Sequence, residues 1–74
     1  MENIIRKLEI DGAKLQAFRN KKHLTQQEVA DLLGVSKQLI SNYECNEATP
    51  PGNVLARLMV IYEINHTSEI TNLA

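Results

Sequence analysis

Gly34 is the residue that most constrains this chain, because two short helical segments must change direction around it. Upstream, in Thr25–Gln26–Gln27–Glu28–Val29–Ala30–Asp31–Leu32–Leu33, the residues Val29, Ala30 and Leu33 fall on one helical face. Thr25 is a good N-cap, and Glu28 three positions later completes a capping box. Gly34 then offers the position where a left-handed or otherwise tight backbone costs least. Ser36 caps the following segment, in which Ile40 and Tyr43 point inward. That segment should end near Cys45, with Asn46 suited to the left-handed cap position. Helices joined so tightly cross steeply and need a small residue where their axes approach. Ala30 stands there, and Val29, Leu33, Val35, Ile40 and Tyr43 supply the apolar inner corner.

The remaining punctuation falls at Gly12 and at Pro50–Pro51–Gly52. Asp11 can cap a helix running to Lys22 with Leu15, Phe18 and Ala13 inward. Pro51 can open a fourth helix, nearly all apolar through Val54, Leu55, Leu58, Met59, Ile61, Tyr62 and Ile64. Its exposed remainder is a candidate meeting place for another chain, together with Ile70 and Leu73. Thr67 can cap a short fifth helix carrying those last two residues. With two Tyr, one Phe and no Trp, a Leu/Ile-rich chain of this kind favours close helix packing over a sandwich or barrel. No repeat or linker divides 74 residues, so a single helical domain is expected over residues 11–74, preceded by an N-terminal extension or arm over residues 1–10. The extension contains Ile4, Ile5, Leu8 and Ile10. Packing on the domain ranks first for it, ahead of a dimer contact or a reach to nucleic acid through Arg6 and Lys7.

Several functions are excluded by what the chain lacks. Cys45 has no internal partner for a disulfide, and with His23 and His66 it does not form metal-site spacing. No metal or other cofactor is expected. No apolar run approaches the roughly 20 residues of a membrane span, and the first residues lack a signal peptide's apolar core. A cytoplasmic location is therefore expected, and the Asn65–His66–Thr67 sequon is incidental. There is no nucleophile–base pair and no phosphate-cradling glycine loop, which argues against an enzyme. No separate ligand or oligomerisation domain is evident, so effector sensing within the chain is not expected.

The stretch Gln26 to Cys45 has the helix-turn-helix pattern. Here the sequence resembles the Cro/phage-repressor family, also called the xenobiotic-response-element family. The resemblance is carried by Leu15 to Arg19, Leu24–Thr25–Gln26, Glu28 to Ala30, Leu33 to Ser36, Ile40 and Tyr43–Glu44, and covers roughly Gly12 to Ile64. It implies a compact all-α, lambda-repressor-like bundle of four or five helices. Its second motif helix, Ser36 to Glu44, would lie in the DNA major groove with its N-terminal end toward the bases.

The polar face of that helix can be read on its own. Lys37 and Ser41 stand one turn apart, as do Gln38 and Asn42. Gln and Asn can grip adenine bidentately, Lys can donate to guanine or phosphate, and Ser suits either a base edge or phosphate. By resemblance, Lys37, Gln38 and Asn42 occupy the family's usual base-reading positions. The resemblance also sets Gln26 against the phosphate backbone, and Gln27 beside it is a weaker candidate; Ser36 can both cap its helix and touch phosphate, because a hydroxyl accepts and donates. In the following loop, Asn46, Thr49 and Asn53 are the phosphate candidates, and Glu47 would repel. Arg19 and Glu44 stand where the family commonly places a structural ion pair.

Net charge is −1 and the pI about 6.1, so no global basic excess advertises nucleic acid. Between Lys14 and Lys37, however, five cations (Lys14, Arg19, Lys21, Lys22, Lys37) face two anions (Glu28, Asp31), a local excess of +3. Binding responds to charge at the interface rather than to the sum. The expected function is a sequence-specific transcriptional regulator of double-stranded DNA, a repressor on a palindromic operator, acting as a homodimer. The alternatives are an antitoxin that also binds its toxin, through helix four or the arm, and a protein-interaction module on the same fold.

Overall fold

The computed structural model describes residues 8–73. In chain order the elements are β1 (Leu8–Ile10), α1 (Gly12–Lys21), α2 (Gln26–Leu33), α3 (Lys37–Glu44), α4 (Gly52–Tyr62), a 3-10 turn (Thr67–Ile70) and β2 (Thr71–Leu73). The four helices carry the fold and form an all-α, lambda-repressor-like domain.

Each helix of the motif begins where its sequence says it must. The Glu28 N–H donates to Thr25 Oγ1 at 3.0 Å, while the Thr25 N–H donates to Glu28 Oε1 at 2.8 Å. Both halves of the capping box are made, satisfying two N–H groups that the helix cannot. At the other end Gly34 adopts φ 72°, ψ 34°, and the Val35 N–H returns to the Ala30 carbonyl. Ser36 Oγ then accepts from the Leu39 N–H at 3.1 Å and starts α3. Replacing Thr25 with Ala removes an exposed cap and no core contact. It should cost about 1 kcal/mol, read as a lower urea midpoint at unchanged m-value; a cost near zero would show that the cap is idle.

The core gathers one face from every helix. Leu15 of α1, Val29, Ala30 and Leu33 of α2, Ile40 and Tyr43 of α3, and Leu58 and Tyr62 of α4 are buried. Ala30 is fully buried at the α2–α3 crossing, as its size predicts. The end of α4 turns through Glu63 at φ 57°, and the Ile64 N–H reaches back to the Met59 carbonyl, tucking Ile64 into the core.

Three expectations change. Ala13 is exposed rather than inward. Pro51 occupies the cap position of α4, and Gly52 is its first helical residue. The expected fifth helix is replaced by a single 3-10 turn and a strand. His66 precedes that turn, with its N–H on Glu69 Oε2 at 3.0 Å, and Thr71 is extended. Residues 71–73 then pair antiparallel with residues 8–10, in the register Leu8↔Leu73, Glu9↔Asn72, Ile10↔Thr71. Ile70 is fully buried under this ribbon, so it offers no surface to a second chain. Ile4, Ile5, Arg6 and Lys7, and the side chain of Leu73, lie outside the described residues.

Candidate nucleic-acid interface

Burying Ile40, Tyr43 and Glu44 turns the opposite side of α3 outward. Lys37 and Gln38 are exposed in its first turn, whereas Ser41 and Asn42 are half-buried in its second. Gln38 Nε2 donates to Asn42 Oδ1 at 2.9 Å along the helix. These four side chains form a polar strip beginning at the free N-terminal end of a short helix, where unsatisfied N–H groups and the positive dipole end favour an anion.

The N-terminus of α2 lies against the far end of α3. Gln26, its first residue, is half-buried, and its Nε2 donates to Glu44 Oε1 at 3.0 Å. Gln27 is exposed and donates along its own helix to Asp31 Oδ1 at 2.9 Å. Gln26 thus bridges the two helices of the motif, and Gln27 does not.

Glu44 holds more than Gln26. Arg19 Nε donates to Glu44 Oε2 at 2.6 Å and Arg19 Nη2 to Glu44 Oε1 at 3.1 Å, a fork-on-fork pair with both residues under a tenth exposed. Arg19 Nη1 donates to the Leu24 carbonyl at 2.8 Å. The hydrogen bonds that Arg19 gives to Glu44, and then the negative charge of that carboxylate, raise the Arg19 pKa above its ordinary value against the opposing effect of burial. Burial and the Glu44 charge push the neighbouring Tyr62 phenol up to about 12, so it stays neutral in this core. One carboxylate at the end of α3 therefore holds α1 through Arg19 and the start of α2 through Gln26, and Arg19 in turn holds the α1–α2 turn at Leu24.

The loop after α3 is committed in part to the fold. Asn46, at φ 63°, accepts from the Gly12 N–H on Oδ1 at 2.8 Å, and its amide N–H groups are the donors it could offer a phosphate. Thr49 and Asn53 are exposed.

The local excess of +3 overstates the cations facing outward. Lys14 donates from Nζ to the Thr71 carbonyl at 3.0 Å and to Asn72 Oδ1 at 3.1 Å, Arg19 is buried, and Lys22 pairs with Glu63 at 2.9 Å. Lys21 lies over the Phe18 ring at 5.9 Å. Of the five, Lys37 alone stands on the α3 strip.

Sequence reasoning passed over two residues. Gly12 packs directly on the carbonyls of Tyr43 and Glu44, a contact that a lone glycine near a helix start does not advertise. Arg57 donates from Nη2 to the Leu32 carbonyl at 3.0 Å and from Nη1 to the Leu33 carbonyl at 3.4 Å, placing a cation at the negative end of α2. A lone arginine in an otherwise apolar helix was the available signal. Beside it, Leu32 (55% exposed), Ala56, Val60 (77% exposed) and Ile61 line an open apolar groove.

Among the described residues no group of three or more His, Cys, Asp or Glu could hold a metal ion, and no helix is long and apolar enough to cross a membrane. A family model described as helix-turn-helix matches residues 15–67, spanning all four helices apart from the first turn of α1. No curated protein matches the chain.

Proposed function

The chain belongs to the Cro/phage-repressor family of helix-turn-helix proteins, DNA-binding rather than enzymatic domains, and we propose that it is a sequence-specific repressor acting as a homodimer on a palindromic operator. The observation that carries this reading is the polar strip Lys37–Gln38–Ser41–Asn42 on the exposed face of α3. With α3 in the major groove, Lys37 and Gln38 meet base edges first. Ser41 and Asn42 stand one turn behind them.

Around this strip, Gln26 and Ser36 supply phosphate contacts without net charge. Gln26 keeps a second amide N–H beyond the one given to Glu44, and the N–H groups at the start of α2 add to it. Gln27, the Asn46 amide and Thr49 extend the set along the backbone. Asn53, exposed in the first turn of α4, stands beside them.

A recognition helix this short reads only a few base pairs, so two copies about 34 Å apart on one duplex face are needed to specify a site. Among the described residues the Leu32–Val60 groove offers an exposed apolar surface for pairing, in place of the buried Ile70. Occupying an operator is by itself enough to block transcription from an overlapping promoter, so repression is the simplest use of such binding.

Duplexes selected from a random pool, then titrated at several salt concentrations, test the proposal. Selected sites should be palindromic, with a shallow dependence of log K on log salt of about −0.9 for each phosphate neutralised. Few phosphates should count, since most nearby cations are engaged within the fold. Absence of duplex binding at low salt would remove the regulator reading. A monomer on a single half-site would remove the dimer.

A further inference from the structure

Gln38 and Asn42 hydrogen-bond to one another, but they are not equivalent. Gln38 is exposed in the first turn of α3, the end that the proposed groove binding directs toward the bases. Asn42 is half-buried in the last turn, and its carbonyl accepts from the N–H groups of Glu47 at 2.8 Å and Ala48 at 3.2 Å. The backbone of Asn42 is thereby tied to the loop that follows. Of the two side chains Gln38 is the more exposed, and Asn42 stands nearer the packed end of the helix.

A glutamine amide turns about its last torsion between two broad, nearly equivalent wells. Left alone it can exchange its donor and acceptor ends, and so its preferred base. Asn42 Oδ1 accepts from Gln38 Nε2 at 2.9 Å, and in this arrangement an exchanged Gln38 amide would set oxygen against oxygen. Gln38 then keeps its Oε1 acceptor and its second Nε2 N–H for an outside partner. An acceptor beside a donor complements the N6 donor and N7 acceptor of adenine in the major groove, whereas an exchanged amide would present N–H to guanine O6. We infer that Asn42 is a positioning residue that acts through Gln38 and sets the pair to select adenine over guanine. The inference rests on α3 lying in the major groove, as proposed above.

The test measures binding of the full chain to its selected duplex, with each base pair of one half-site replaced in turn by the other three. The wild type should prefer adenine to guanine at one position by about 5- to 150-fold, and Gln38→Ala should abolish that preference. Asn42→Ala should lose most of it at the same position, with the other positions and the melting temperature unchanged. Asn42→Asp keeps an acceptor for Gln38 Nε2. It should restore the adenine preference at lower total affinity, because its charge repels phosphate.

If Asn42→Ala changes a different base pair, Asn42 reads on its own and the inference is overturned. If it weakens all positions alike, its role is structural, which overturns the inference equally. Both outcomes leave groove binding by α3 intact. A wild type that binds duplexes without any base preference would overturn the inference together with the reading beneath it.

Discussion

Gly12→Ala is expected to destabilise the protein by about 2–3 kcal/mol, the upper range for forcing extra volume into a packed site. The sign is informative, because Gly to Ala at a helical position ordinarily stabilises by about 0.5–1 kcal/mol. At Gly12 that gain is overridden. A β-carbon built there would collide with the Tyr43 carbonyl oxygen and stand 2.5 Å from the Glu44 carbonyl oxygen. Both obstacles are backbone at the end of α3, and neither can swing aside as a side chain would. To admit the methyl, α1 must move off α3 and lengthen the 2.8 Å hydrogen bond from the Gly12 N–H to Asn46 Oδ1. Gly52→Ala is the control, since nothing lies within 4 Å of a β-carbon at the first residue of α4. It should be neutral or stabilising by up to about 1 kcal/mol. Urea unfolding of the two variants decides the matter. Equal stability of Gly12→Ala and wild type would mean that α1 and α3 do not approach so closely.

The contrast between these two glycines shows where sequence reasoning runs out. Features governed by neighbours in sequence are legible: Thr25 with Glu28, Gly34, Ser36, and the 3.6-residue spacing that buries Ile40 and Tyr43 while exposing Lys37 and Gln38. Features governed by distant partners are not. Leu8–Glu9–Ile10 is too short to show a strand period, and its partner lies at the other end of the chain. The same strand takes the residues expected to continue a fifth helix. A count of charges finds five cations between Lys14 and Lys37, but nothing local reveals that Thr71, Asn72, Glu44 and Glu63 occupy three of them. Resemblance pairs Arg19 with Glu44. Only the folded chain brings Gln26 onto the same carboxylate.

That shared carboxylate carries the other large effect. Arg19→Met or Glu44→Leu, each made singly, should cost about 3–5 kcal/mol, because either change leaves its partner's charge in a site less than a tenth exposed. A chain this size is stable by only about 4–11 kcal/mol, so either variant should be partly unfolded at modest temperature. The double variant separates the worth of the pair from the penalty of breaking it. With both charges gone, Met and Leu can fill much the same space, and the double should recover much of the loss. Recovery should be incomplete, because the Leu24 carbonyl and the Gln26 amide still lose their partners. Thermal melts of the four proteins give the coupling directly. Single variants that melt with wild type would show that the pair holds nothing in place. The same series distinguishes stability from recognition when the double variant is tested on DNA below its melting temperature. Base preference should survive, since the α3 strip is intact, while affinity falls alike for every sequence, because Glu44 no longer holds Gln26 at the start of α2. Loss of preference at one base pair alone would instead place Glu44 in the reading of sequence.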